Sequence, residues 1–140
     1  MFSISVDATF EAAHRLLHYE GRCSSCHGHS YKVRVTVCST KLSSQGFVVD
    51  FGDLKKIVKG WIDTEWDHAC ILHKDDQLIP YLFSFKNKIF IMPDNPTAEH
   101  MAFYLYGTFI NLIKDVDIES VTVWETPNNP ATYKPTKKEI

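Results

Sequence analysis

Two stretches of the chain alternate between apolar and polar residues, which is the pattern of half-buried β-strands. In the first stretch, residues 2–10, apolar side chains fall on every second position from Phe2 to Phe10. In the second stretch, residues 31–39, the apolar set begins at Tyr31 and ends at Val37. We expect the two strands to pair antiparallel across a connection of about a dozen residues, a length that is often functional.

Two later stretches carry apolar residues at the three- and four-residue spacing of amphipathic helices. The first predicted helix follows Asp50 or Asp53, either of which can cap it. Its apolar positions are Leu54, Ile57, Val58, Trp61 and Ile62. The second predicted helix follows Thr97, a typical N-cap residue, and places Glu99 in its first turn, where a carboxylate suits the helix dipole. Its apolar positions are Met101, Leu105, Phe109, Leu112 and Ile113.

Four shorter segments complete the prediction. Residues 47–49 and 89–92 are predicted to be short strands, residues 78–85 a short helix that carries a proline, and residues 120–126 a last strand. The pattern predicts a single α+β domain over residues 1–140, an antiparallel four-stranded sheet with two helices on one face. The segment Lys74–Asp94 receives no role, and Lys134–Ile140 is predicted to be a polar tail.

Composition and charge narrow the classes of function. The formal net charge is -2, so we expect binding neither to nucleic acid nor to anionic membranes. No apolar run approaches the ~20 residues of a membrane span. Met1–Phe10 lacks the basic and apolar regions of a signal peptide. With four cysteines in the chain, this predicts free or metal-bound thiols in a reducing, cytoplasmic compartment.

The densest chemistry lies in residues 23–29, C-S-S-C-H-G-H. His27 and His29 are two positions apart, so on a strand both imidazoles point to the same face. Pairing of the two predicted strands brings His14, which has the parity of Phe10, close to them. Three imidazoles leave one tetrahedral position open, which is the pattern of a catalytic zinc site.

Two other interpretations of this stretch stay open from the residues alone. C-S-S-C-H also fits the C-x-x-C-H pattern of c-type haem attachment, although that attachment takes place in exported proteins. Cys23 and Cys26 also fit one half of a structural zinc ribbon. The other two cysteines, Cys38 and Cys70, are isolated and do not supply a second pair.

Asp67, His68 and Glu125 each have a catalytic and an ordinary interpretation. The adjacent Asp67 and His68 are either a carboxylate that orients an imidazole for proton transfer or part of a solvated turn. Glu125 continues the apolar parity of the last strand, and is either a carboxylate that accepts paired N–H donors or a residue at an exposed strand end. Cys70 is predicted to be a small buried apolar residue.

Six short segments follow one another along nearly the whole chain. They are F-E-A-A-H-R-L at 10–16, C-S-S-C-H-G-H at 23–29, V-D-F at 49–51, D-H at 67–68, P-T-A-E at 96–99 and W-E-T at 124–126. In that order they resemble the 6-pyruvoyltetrahydropterin synthase and 6-carboxytetrahydropterin synthase family. The resemblance implies the tunnelling fold (T-fold), Zn²⁺ as cofactor, and a homo-hexamer of two stacked trimeric barrels with active sites at subunit interfaces.

The resemblance also implies roles for individual residues. His14, His27 and His29 would bind the zinc, Cys23 would be the general base, and Asp67 and His68 would form a proton-handling pair. Glu125 would anchor the pterin, and Thr97 and Glu99 would lie near the pterin pocket.

The loop before the histidine pair indicates a branch of the family. Three residues separate Cys23 from His27, a spacing similar to that of the bacterial 6-carboxytetrahydropterin synthases of queuosine biosynthesis. Such an enzyme would convert 7,8-dihydroneopterin triphosphate to 6-carboxytetrahydropterin, acetaldehyde and triphosphate without a redox cofactor. The alternatives are the pyruvoyl-forming branch and a zinc-stabilised pterin-binding module without turnover. Cys26, directly before His27, is a second thiol that competes with Cys23 for the role of base.

Overall fold

The computed structural model describes residues 1–136, which form one mixed sheet with the two long helices packed on one of its faces. The strands are β1 (Phe2–His14), β2 (His27–Ser39), β3 (Ala69–His73), β4 (Ile89–Met92), β5 (Asp117–Thr126) and β6 (Asn129–Tyr133). The helices are α1 (Phe51–Glu65), α2 (Ile79–Ser84) and α3 (Ala98–Leu112). No helix in residues 1–136 is both long enough and apolar enough to cross a membrane.

The sheet has six strands in the order β4-β3-β1-β2-β5-β6, so the prediction of four antiparallel strands was wrong in number and in direction. β3 runs parallel to β1 and to β4, whereas the other neighbours are antiparallel. Residues 47–49 were predicted to be a strand, but they form bends that lead into α1. The short helix with its proline and the strand at Ile89–Met92 are confirmed as α2 and β4. The part of the predicted tail from residue 137 onward lies outside the described residues.

The predicted antiparallel pairing of β1 with β2 is confirmed. Phe10 lies opposite Tyr31, and His14 lies opposite His27. Because side chains alternate along each strand, this register puts the apolar side chains of both strands on the face covered by the helices. Tyr31 and the valines of β2 are buried there, and His14 continues the buried side of β1 to its last residue.

The core lies between that face and the two long helices. Leu54, Val58 and Ile62 of α1 are buried in it, as are Met101 and Leu105 of α3. Both predicted N-caps are present. The Asp50 carboxylate accepts hydrogen bonds from the N–H groups of the first turn of α1, and the Thr97 hydroxyl accepts one from the first turn of α3. The capping of α3 matters for the site because it fixes the chain beside the end of β1.

A buried ion pair anchors the segment Lys74–Asp94, to which the sequence assigned no role. The Arg15 guanidinium donates two hydrogen bonds to the carboxylate of Asp76, whose side chain is fully buried. The same carboxylate accepts a hydrogen bond from the Leu78 N–H at the start of α2. Burial raises the pKa of Asp76, but hydrogen bonds from Arg15 and Leu78 and the charge of Arg15 outweigh it and hold the pKa below its ordinary value.

Replacement of this carboxylate is expected to destabilise the fold strongly. Asp76→Ala leaves the Arg15 charge half-buried without its partner, and we expect a loss of about 3 kcal/mol in the free energy of unfolding, measured by urea denaturation at neutral pH. Because the folded pKa is lowered, the contribution is present above the unfolded pKa of about 3.9 and disappears as pH falls through the folded pKa. The difference in the free energy of unfolding between the wild type and Asp76→Ala should therefore decrease in acid. Asp75→Ala, at an exposed neighbouring carboxylate, should change stability by less than about 0.5 kcal/mol.

Candidate active site

Three histidines meet where β1 ends and β2 begins. His14 pairs with His27 across the two strands, and His29 lies two residues further along β2 on the same face. Their nearest ligand nitrogens all lie within 4.8 Å of one another, and among residues 1–136 this is the cluster that could hold a metal ion. The prediction that strand pairing brings the three imidazoles together is confirmed.

Backbone carbonyls fix the orientation of two of these rings. The Nδ1 of His14 lies 2.8 Å from the Pro96 carbonyl oxygen, and the Nδ1 of His27 lies 2.6 Å from that of Ser25. A carbonyl oxygen only accepts, so each Nδ1 carries the proton and each Nε2 keeps its lone pair. The two Nε2 atoms are 3.2 Å apart, close to the roughly 3.3 Å expected between two nitrogens bound to one tetrahedral zinc. Two facing lone pairs repel each other, and a shared cation removes that repulsion.

The third histidine also fits a metal ion. The Nε2 of His29 is buried and has no hydrogen-bond partner among the described residues. A buried polar atom without a partner is costly, so it indicates a missing ligand. Burial, the largest effect, lowers the pKa of His14 and outweighs the opposing effects of the Pro96 carbonyl and Glu125. The neutral imidazole that metal binding requires is thereby favoured.

Glu125 lies on β5 beside this cluster. Its Oε1 is 3.5 Å from His29 Nε2, and its side chain is three-quarters buried. As predicted, it continues the side of the strand that buries Val121 and Val123. A carboxylate this close to the open side of the cluster can accept N–H groups from a ligand that binds there. Its role in pterin binding stays a prediction.

Cys23 lies in the short 3-10 turn Arg22–Ser24 between β1 and β2 and is half-buried. Its backbone carbonyl accepts a hydrogen bond from the Leu16 N–H, which holds the turn against the end of β1. The turn thereby holds Cys23 in the connection between His14 and His27, two of the three clustered histidines.

Tyr31 is a residue of this site that the sequence alone did not indicate. Its ring packs edge-on against His14 and His29, with ring centroids 5.9 Å and 5.5 Å away. Its hydroxyl is buried without a hydrogen-bond partner among residues 1–136. Burial, followed by the charges of Glu125 and Cys23, raises its pKa far above the ordinary value. The available signal was a hydroxyl on a strand face otherwise made of valines, because a buried phenol needs a partner.

Asp67 and His68 form a carboxylate–imidazole pair between α1 and β3. The carboxylate Oδ2 lies 3.0 Å from His68 Nδ1. Both residues are held by the backbone of Glu11, whose N–H donates to Asp67 and whose carbonyl accepts from the His68 N–H. The Glu11 N–H is the largest cause of the lowered pKa of Asp67. His68 has a φ of 61°, a strained conformation for a non-glycine residue and one found often at functional sites.

Among residues 1–136, neither Asp67 nor His68 makes a hydrogen bond to a histidine of the cluster. His68 is 77% exposed and lines an open pocket of about 450 Å³ together with Glu11, Ser30 and Lys88. Glu11 and Ser30 pair across β1 and β2 on the exposed face, opposite to the face that the helices cover. The same pocket is also lined by His29 of the cluster.

Thr97 and Glu99 lie next to the cluster but serve the helix. The Thr97 hydroxyl accepts from the His100 N–H at 3.2 Å, and Glu99 is exposed in the first turn of α3. Their link to the site is the neighbouring Pro96, whose carbonyl orients His14. The capping role of Thr97 and the first-turn position of Glu99 are confirmed, and a role in pterin binding stays a prediction.

All four cysteines are free thiols. The prediction that Cys70 is an apolar core residue was wrong: it is half-buried, and its sulfur lies 4.0 Å from that of Cys26. Burial, and then the neighbouring Cys26, raise the pKa of Cys70 to about 12. Cys26 therefore belongs with Cys70 rather than with the histidine cluster, which weakens its claim to be the base.

Sequence comparisons with known proteins find tetrahydropterin synthases. The family model described as 6-pyruvoyl tetrahydropterin synthase matches residues 3–136. A Rickettsia typhi protein named 6-carboxy-5,6,7,8-tetrahydropterin synthase is 37% identical over 124 residues, covering 85% of this chain and 90% of its own. A Haemophilus influenzae protein of the same name is 33% identical over 141 residues, covering 96% and 99%.

Solved structures share the fold over almost the whole chain. An uncharacterized protein from Wolinella succinogenes has a TM-score of 0.84 at 25% identity and covers 96% of this chain and 98% of its own. The Caenorhabditis elegans 6-pyruvoyl tetrahydropterin synthase has a TM-score of 0.71 at 26% identity, with 96% of each chain covered. The T-fold expected from the sequence is confirmed.

Proposed function

The chain belongs to the 6-pyruvoyl tetrahydropterin synthase family, a family of pterin enzymes, and from that premise we propose that it is a zinc-dependent 6-carboxytetrahydropterin synthase. The proposed reaction converts 7,8-dihydroneopterin triphosphate to 6-carboxytetrahydropterin, acetaldehyde and triphosphate, a step of queuosine (7-deazaguanine) biosynthesis. The observation that carries the proposal is the cluster of His14, His27 and His29, with a buried, unpartnered nitrogen beside Glu125.

The residues of the chain have chemistry that suits this reaction. Zn²⁺ held by the three histidines would supply a Lewis acid that makes the hydroxyl-bearing side chain of the substrate more acidic. Glu125 would accept the N–H groups of the pterin ring and orient it. Cys23 would take a proton from the substrate side chain, and the pair of Asp67 and His68 would move a proton on the other side.

Two features favour the carboxy-forming branch over the pyruvoyl-forming branch. The three-residue spacing between Cys23 and His27 resembles the former, and the curated relatives at 33–37% identity carry the 6-carboxy name. The pyruvoyl-forming reaction is the second candidate, since a structural neighbour at 26% identity is named for it. A pterin-binding module without turnover would not need Cys23 or the Asp67–His68 pair, and all three residues are present.

We infer a homo-hexamer with active sites shared between subunits. Within one chain the Asp67–His68 pair makes no hydrogen bond to the three histidines among residues 1–136, and in this proposal a second copy brings its pair to the cluster. β4 and β6 also leave both sheet edges unpaired within residues 1–136, and closure of several sheets into a barrel would remove those edges. The proposal includes a single domain over the chain and a cytoplasmic location, where the four free thiols would stay reduced.

The product mixture tests the proposed reaction. We expect purified, zinc-loaded protein to convert dihydroneopterin triphosphate to 6-carboxytetrahydropterin with release of one acetaldehyde per turnover, detected by mass spectrometry and an alcohol dehydrogenase assay. A 6-pyruvoyl product without acetaldehyde would favour the second candidate. Binding of the substrate without any product would instead support the pterin-binding module.

A further inference from the structure

Cys26 and Cys70 form a thiol pair near the ends of β2 and β3 that lie on either side of β1. Gly28 of β2 and Cys70 of β3 both lie opposite Ala13 of β1, one on each side of it. Cys26 lies in the loop directly before β2, two residues before Gly28. Gly28 and Ala13 place little bulk between the two cysteines, and their sulfur atoms approach to 4.0 Å.

The pair is accessible and lies beside a cation. Cys26 is exposed and Cys70 is half-buried, so a small oxidant can reach the first sulfur from solvent while the second lies behind it. Both thiols interact electrostatically with the Arg15 guanidinium, which Asp76 holds in place. A disulfide requires the 4.0 Å separation to shrink to about 2.05 Å, and rotation of the exposed Cys26 side chain can supply most of that change.

We propose that Cys26 and Cys70 are a redox modification site that forms an intramolecular disulfide when a peroxide reacts with the protein. The Cys26 sulfur attacks one peroxide oxygen and breaks the O–O bond, which gives a sulfenic acid and one water. The Cys70 sulfur then attacks the Cys26 sulfur, the S–O bond breaks, and the hydroxide leaves with the Cys70 proton as a second water. The two thiols lose two electrons and the peroxide gains them.

The disulfide would join two segments that carry parts of the candidate active site. Cys26 directly precedes His27, and the neighbouring Ser25 carbonyl orients that ring. Cys70 follows His68 by two residues on β3. Oxidation therefore ties the entry of β2 to β3 across β1. This inference rests on the position of the two sulfurs and does not depend on the proposed reaction.

Peptide mapping under non-reducing conditions tests the proposal. The full-length protein is treated with hydrogen peroxide, the remaining thiols are alkylated, and tryptic peptides are identified by mass spectrometry. We expect the peptide of residues 23–32 to be linked to that of residues 60–74, and the count of free thiols to fall from four to two. Dithiothreitol should restore all four thiols.

Three variants assign the link to the right sulfurs. Since residues 23–32 contain two cysteines, Cys23→Ala should keep the linked peptides, whereas Cys26→Ser and Cys70→Ser should each lose them. A link that persists in Cys26→Ser would assign it to Cys23 and overturn the proposal. The proposal also fails if peroxide modifies the other thiols fully while Cys26 and Cys70 stay unlinked.

Discussion

His29→Ala is expected to abolish zinc binding and nearly all turnover of dihydroneopterin triphosphate. His29 supplies one of only three nitrogens in the cluster, and the described residues offer no fourth histidine or cysteine there to replace it. We expect zinc affinity to fall more than about 100-fold, since even residues that only orient ligands contribute 10–100-fold. Loss of the several kcal/mol that a Lewis acid contributes would lower kcat by about 10³-fold or more. Plasma mass spectrometry and steady-state kinetics measure the two effects.

His18→Ala is the matched control for this variant. His18 is an exposed histidine in the loop between β1 and β2, four residues after His14, and lies outside the cluster. The His18→Ala variant should keep about one zinc per chain and wild-type turnover. One zinc per chain in His29→Ala, at wild-type affinity, would show that the metal binds elsewhere or that the histidines serve another purpose.

The metal cluster could be predicted from the sequence because it depends on local rules. Alternation along β1 and β2 sets the face of each histidine, and antiparallel pairing across the intervening loop brings His14 near His27 and His29. The structure adds the register, with His14 opposite His27. The same rules placed Glu125 on the correct side of β5.

The two strands that the sequence pattern did not predict, β3 and β6, depend on contacts between residues that are distant in the chain. β3 is a run of five residues that pairs with β1 and β4 in parallel, and no local pattern specifies such a partner. β6 contains Pro130, a residue that argues against a strand unless the strand lies at a sheet edge, as this one does. The edge position is a property of the assembled sheet and cannot be seen in the segment itself.

The structure was also needed to distinguish the thiol of Cys23 from that of Cys26. From the sequence, the resemblance assigns the base to Cys23, and Cys26, three residues later, competes for that role. The structure separates them, because Cys23 lies in the short 3-10 turn Arg22–Ser24 whereas the Cys26 sulfur lies 4.0 Å from that of Cys70. Loops break the simple alternation that strands obey, so no periodicity argument reaches this distinction.

Cys23→Ala is expected to lower kcat by about 10²–10⁴-fold, the usual contribution of a positioned general base. Zinc content and thermal stability should stay near those of the wild type, because Cys23 is half-buried in a turn and lies outside the histidine cluster. Cys26→Ala is the matched control and should keep kcat within a few-fold of the wild type. A large loss in Cys26→Ala with activity retained in Cys23→Ala would reverse the assignment of the base.

Mixing two inactive variants decides whether one site uses residues from two chains. Asp67→Ala is expected to be inactive for want of the proton-handling pair, while it keeps Cys23. If Cys23 of one chain meets Asp67 of another, equal co-expression of Cys23→Ala with Asp67→Ala leaves about a quarter of the sites with both residues intact. When the two variants mix at random, activity should then recover to about a quarter of the wild-type value. If both residues act within one chain, every site lacks one of them and the mixture stays inactive, so the shared-site hexamer would be wrong.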